Sequence, residues 1–163
     1  GHPQYDTLVW QMFLRFVDFW EEYNPKLIET EVHLFSDKIK VAGTCDMVCE
    51  IEIDGKVERW VIDFKTSNHL QTTYDLQGAI YAQCYEECFE KKVDRVGVLW
   101  LKSNKRKSSP GKIQGKGWEI YESSRSQEEN IDIFMTVKKL FDLENPKHKP
   151  AFTEFRTQAK RKL

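Results

Sequence analysis

The chain has 163 residues, 40% hydrophobic and 31% charged, with a formal net charge of −1. That length suits one globular domain with a substantial core. No apolar run approaches the ~18 residues needed to span a bilayer, and no signal peptide precedes the first predicted helix, so a soluble intracellular protein is expected. Gly1-His2 reads as a cloning remnant.

The near-neutral total conceals a division. Residues 1–101 carry 10 Lys+Arg and 18 Asp+Glu, a net −8, whereas residues 102–163 carry 15 and 8, a net +7. A nucleotide-hydrolysing motor is excluded, because Gly111-x-x-x-Gly115-Lys116-Gly117 has the wrong spacing for a phosphate loop and lacks its closing Ser or Thr.

In chain order, Val9, Met12, Phe13, Phe16, Val17 and Trp20 recur at the spacing of one helical face and are expected to enter the core. Asn24-Pro25 ends that helix. Leu27 to Phe35 reads as a first strand with Glu31 and His33 on one alternating face. His33 fits a surface or supporting histidine better than a ligand. Lys40 to Ile51 reads as a second strand, and Asp54-Gly55 is the dipeptide favoured in two-residue hairpin turns. The third strand runs on from Val57 and contains Val61-Ile62-Asp63-Phe64-Lys65.

If Asp54 and Gly55 form the loop, Ile53 faces Lys56 and Asp46 falls opposite Asp63, while Asp63 and Lys65 project to the same face. Opposed side chains there have β-carbons roughly 4.5–5.5 Å apart, and like charges are destabilising unless something positive lies between them. A divalent cation is the natural occupant, and two acids beside a lysine suit Mg2+, which prefers one or two carboxylates with waters and substrate phosphates. On spacing alone, a solvated strand face explains the same residues equally well, and a slip of one residue would separate the acids.

Thr66-Ser67-Asn68 ends this strand. Tyr74 to Phe89 has helical spacing that puts Gln77 and Tyr81 on one face; by themselves, Gln77 suits a cap or surface and Tyr81 a core. Val96 to Leu101 reads as a strand inside the sheet, covered on both faces. Trp118 to Tyr121 adds another strand, and Ile133, Phe134, Val137, Leu140 and Phe141 define a closing helix. A domain over residues 1–145 is therefore followed by a basic tail, 146–163, expected to pack poorly and to offer a second phosphate-contacting arm through Lys147, Lys149, Arg156, Lys160, Arg161 and Lys162.

The four cysteines, Cys45, Cys49, Cys84 and Cys88, are too sparse for a disulfide framework and indicate a reducing compartment. Cys45 and Cys49 are expected on the strand face opposite Asp46, with Cys84 and Cys88 continuing the helical stripe of Gln77 and Tyr81. Small buried thiols explain both pairs better than a zinc site.

Asp46 followed by Asp63-Phe64-Lys65 resembles the PD-(D/E)XK nuclease signature. The ordered set Gly43-Thr44-Cys45-Asp46, Ile62-Asp63-Phe64-Lys65-Thr66-Ser67 and Gln77-Gly78-Ala79-Ile80-Tyr81 is similar to the RecB-type exonuclease branch, which places Gln-x-x-x-Tyr on the helix after the lysine strand. The likeness runs from about Trp10 to Leu101 and is nearest to phage-encoded exonucleases and mitochondrial genome maintenance exonucleases, where a Glu on the preceding strand, here Glu31, is also typical.

The resemblance implies an α/β fold with a restriction-endonuclease-like αβββαβ core, its mixed and largely antiparallel sheet flanked by helices. It implies a Mg2+-dependent DNA exonuclease, with Mn2+ as a substitute, acting on single-stranded or end-accessible DNA in recombination, repair or replication alongside proteins of those processes. Asp46, Asp63 and the Phe64 carbonyl would hold metal, Lys65 would act on the attacking water, Glu31 would support the site, and Gln77 and Tyr81 would wall it. Some members of the branch bind an iron–sulfur cluster through one early and three late cysteines. None follows Cys88 here, so no cluster is expected. The implied compartment is the cytoplasm, a host cell's if the chain is phage-encoded, or the mitochondrion; no membrane is involved.

The segment 102–117 holds six basic residues and no acid. In isolation it reads as a solvated loop. Beside a nuclease site, Lys105, Arg106, Lys107, Lys112 and Lys116 read as DNA contacts, since Lys and Arg supply most affinity for phosphates. Two other readings keep the fold: a non-catalytic nucleic-acid-binding module, and a structure-selective endonuclease.

Overall fold

The computed structural model describes residues 7–102 and 117–148. Its elements are α1 (Thr7–Tyr23), β1 (Lys26–Ser36), β2 (Val41–Ile53), β3 (Lys56–Lys65), α2 (Thr73–Phe89), β4 (Arg95–Trp100), β5 (Glu119–Tyr121) and α3 (Gln127–Glu144). The five strands form one sheet in the order β1-β2-β3-β4-β5, antiparallel throughout except for β3 and β4. Parallel neighbours need a crossover, and α2 provides it. This is the expected αβββαβ order and a restriction-endonuclease-like α/β fold. Among the described residues no helix is long and apolar enough to cross a membrane.

The β2–β3 hairpin has the expected register. Asp54 and Gly55 both have positive φ, 52° and 77°, as a two-residue turn matched to strand twist requires, and the pairs run from Ile53↔Lys56 to Met47↔Ile62.

Two apolar layers sandwich the sheet. Trp60, Ile62, Met47, Cys49, Ile51 and Leu99 pack with Phe19 of α1 and with Trp118. Val61, Val48, Cys45 and Leu34 pack with Ala82, Cys84 and Tyr85 of α2. β4 lies between β3 and β5 with its last four residues buried, the covered strand its apolar run predicts.

Two expectations need correction. The face of α1 that meets the core is Met12, Phe16, Phe19, Trp20 and Tyr23, whereas Val9 and Phe13 are 54% and 51% exposed; the apolar stripe is wider than the buried one. The expected closing helix is present as α3, on which Val137, Leu140 and Phe141 are exposed and the buried residue is Asn130. Cys45 and Cys49 do not share a face: Cys45 belongs to the α2 layer and Cys49 to the α1 layer. The alternation breaks between them, where β1 pairs Thr30 with Met47 and Val32 with Cys45 and the intervening Glu31 has φ 47°. The thiols are buried at Cys45, Cys49 and Cys84, and Cys88 donates to the Phe35 carbonyl.

Candidate active site

β2 and β3 bring the two acids together just beyond their last paired rung. Asp46 Oδ2 accepts the Phe64 backbone N–H at 2.8 Å, so a side chain takes the place of a ladder carbonyl where the strands diverge. Asp63 is 5% exposed. Its Oδ2 is 2.7 Å from the Lys65 ammonium, a close ion pair. Burial pushes the Asp63 carboxyl up to about 6; the Asp46 carboxylate adds to the rise and Lys65 opposes it.

From Lys65 a relay runs onto α2. The ammonium donates to Gln77 Oε1 at 2.9 Å, and Gln77 Nε2 donates to the Tyr81 hydroxyl at 2.9 Å. The ammonium also lies 4.6 Å from the centre of the Tyr74 ring, within cation–π range. Tyr74 in turn donates to Ser67 Oγ. Burial raises the Tyr81 hydroxyl above its ordinary range, opposed by the bond from Gln77. The Tyr81 ring needs Gly43: a β-carbon there would stand 2.7 Å from Tyr81 Cε1, closer than real contacts allow. An open groove of about 420 Å³ beside this relay is lined by Gly43, Tyr74, Gln77, Tyr81 and Phe134.

Asp46, Asp63, Lys65, Gln77 and Tyr81 are thus gathered at one place, with the Phe64 backbone bonded to the first of them; the Phe64 ring packs 5.4 Å from that of Phe16. Glu31 is exposed and takes part in none of these contacts. His33 is exposed and bonds through Nδ1 to Thr44 Oγ1 at 2.9 Å. Lys105, Arg106, Lys107, Lys112 and Lys116 lie outside the described residues, as does the tail from residue 149. Sequence reasoning passed over Tyr74 and the packing role of Gly43; Tyr74 lies three residues before Gln77 on the same helical face.

Among the described residues no three His, Cys, Asp or Glu side chains cluster, so the protein can offer two carboxylates and backbone carbonyls. That hard oxygen set fits Mg2+, which takes one or two carboxylates and keeps several waters. It does not fit a thiol-rich structural metal.

One solved structure similar to the chain is the crystal structure of SSO0001, with 16% identity and a TM-score of 0.39 over 88% of this chain; the match spans 61% of that protein's length. Among curated proteins none matches. The family model for the PD-(D/E)XK nuclease superfamily matches residues 3–161, nearly the whole chain and all the residues just described, and the chain belongs to that superfamily of nucleases.

Proposed function

We propose that the protein is a metal-dependent deoxyribonuclease of the RecB-type branch, hydrolysing single-stranded or end-accessible DNA exonucleolytically in recombination, repair or replication. The observation that carries this reading is the unbroken chain of contacts from the buried acid Asp63 through Lys65 and Gln77 to Tyr81. A solvated strand face would have no reason to bury an acid, pair it with a lysine and then orient that lysine from a helix.

Asp46, Asp63 and the Phe64 carbonyl would hold Mg2+, whose charge would bind the scissile phosphate and make a bound water more acidic. Lys65, an ammonium, donates hydrogen bonds and has no lone pair for a proton. It therefore holds the attacking water and offsets charge building on the phosphoryl oxygens; the water gives up a proton to solvent as its oxygen bonds to phosphorus, and the sugar oxygen, whose bond to phosphorus breaks in line, takes one up from solvent. Gln77 fixes the direction of that ammonium, and Tyr81, wedged against Gly43, fixes Gln77. The basic segment 102–117 would supply phosphate contacts.

The test compares end-labelled linear DNA with closed circular DNA, in Mg2+ and in EDTA, for the wild type and Lys65→Ala. Metal-dependent loss of label from linear DNA alone, abolished in the variant, supports an exonuclease. Cutting of the circle points to an endonuclease. Binding without cleavage refutes catalysis and leaves the binding module.

A further inference from the structure

Gln77 can orient Lys65 only if the first turns of α2 are held still, and their own capping does not hold them. Thr72 occupies the N-cap position with helical backbone angles and makes no side-chain cap, in contrast to α3, where Ser126 and Glu129 form a reciprocal capping box. Ahead of the helix's own ladder come two short-span backbone bonds, from Tyr74 N–H to Gln71 O and from Asp75 N–H to Thr72 O.

What holds it is Asp75. This residue is 7% exposed, and its Oδ2 accepts from Ser123 Oγ at 2.9 Å, Arg125 Nη2 at 3.0 Å and the Tyr121 hydroxyl at 3.4 Å. The donors lie on β5 and the connection to α3, and they are themselves tied down: Arg125 Nε donates to Asn130 Oδ1 and Asn130 Nδ2 to Ser123 Oγ. A charge buried this deeply is tolerated only where its partners are fixed, and none of these groups touches the acids or Lys65. A second constraint acts on the same turns. Gly78 lies so close to β4 that a β-carbon on it would stand 2.5 Å from Val96 Cγ1. Tyr74, Gln77 and Tyr81 occupy one face of the helix, and Asp75 fastens the adjoining side to β5 and α3.

We infer that Asp75 and Arg125 are a positioning pair for the reaction, fastening the uncapped start of α2 so that Gln77 meets the Lys65 ammonium. The inference rests on the nuclease reading for its kinetic consequence and on the contacts alone for its structural one. Loosening the clamp lets Gln77 drift from Lys65 while the DNA-binding surface stays in place, so the loss falls on kcat rather than KM.

The test uses the full chain as wild type, Asp75→Asn, Arg125→Lys, Gly78→Ala and the double variant Gly78→Ala with Val96→Ala. Each is measured for kcat and KM on linear DNA in Mg2+, for hydrogen exchange along α2, and for the NMR resonances of the Gln77 side-chain amide. Asp75→Asn should lower kcat about tenfold or more with KM within about twofold, since small misplacements of catalytic groups cost up to about a hundredfold. It should also speed exchange over residues 73–78 but not 84–89, and shift the Gln77 amide. Gly78→Ala should reproduce all three effects without touching the polar network, and the added Val96→Ala should reverse them by making room. Should Asp75→Asn fail to fold, Arg125→Lys and the Gly78 pair carry the test. Wild-type kcat in folded variants, a change confined to KM, or an unmoved Gln77 amide overturns the proposal. If the wild type cleaves no DNA, the nuclease reading fails, and exchange with the Gln77 resonances still decides whether the clamp positions that side chain.

Discussion

Asp63→Asn separates a metal-binding acid from a merely structural one, because its effect on stability should reverse with pH and with metal. Burial raises the Asp63 carboxyl from an ordinary 3.8 to about 6. Between those values the folded protein holds a proton that the unfolded chain has released, so stability falls as pH rises through roughly 4 to 6, and the whole penalty is present above that range. A displacement of roughly two pH units corresponds to ~3 kcal/mol at most. The variant carries no charge to bury. Without metal at pH 8 it should therefore be more stable than the wild type by up to ~3 kcal/mol, reduced by whatever is lost in leaving Lys65 without its partner. For a domain of this size that is a rise in Tm of several degrees, at about 2–4 °C per kcal/mol. At pH 4.5, where the folded carboxyl is largely protonated but the unfolded one is already mostly ionised, the gap should shrink to about a third, ~1 kcal/mol. Mg2+ at a hundred times its Kd should stabilise the wild type by ~2.7 kcal/mol, and the variant should lose most of that gain together with cleavage. Thermal melts at the two pH values in EDTA and in Mg2+, beside an assay on linear DNA, measure all of this. A stability difference that does not change between pH 4.5 and pH 8 without metal, or an equal response to Mg2+, would refute the reasoning.

Gly43→Ala should cost about 1–3 kcal/mol by forcing the Tyr81 ring aside, and should lower kcat because the Gln77 bond moves with it; urea unfolding and steady-state kinetics check both. Neutralising Lys105, Arg106 and Lys107 together should weaken DNA binding and lower the slope of log K against log salt by about 0.7 per lost contact on single strands, with the Mg2+ response in melts unchanged; an unaltered slope would assign the segment to solvent. Burial pushes the Cys45, Cys49 and Cys84 thiols up to about 12, so in the folded protein at pH 8 these three should resist iodoacetamide and react only in denaturant, as counted by mass spectrometry.

What was legible in the sequence was local. Asp54-Gly55 sets the hairpin register, because a two-residue turn leaves few ways to pair its arms, and that register carries Asp46 toward Asp63. The Gln77–Tyr81 spacing places both on one helical face whatever else surrounds them. Which apolar face of α1 is buried was not legible: Val9 and Phe13 are as hydrophobic as Met12 and Phe16, and only the position of the sheet distinguishes them. The break in alternation at Glu31 and Cys45 was equally hidden, since neither a glutamate nor a cysteine advertises an irregular strand. Asp75 and Arg125 are 50 residues apart, and no periodicity links a helix start to a loop that the chain reaches only after two further strands.

The hairpin turn also constrains how this gene can drift. Asp46 and Asp63 each lie eight residues from the turn, one on either arm, and the turn is the fixed point from which both are measured. A single codon inserted or deleted between Met47 and Ile53 would rotate Asp46 to the opposite face without altering one residue of the acid-phenylalanine-lysine run, and the same change between Lys56 and Ile62 would displace Asp63. Length can change harmlessly here only when both arms gain or lose an equal, even number of residues. In related sequences, the spacing on the two sides of this turn should therefore vary together, more tightly than the identity of the residues that fill it.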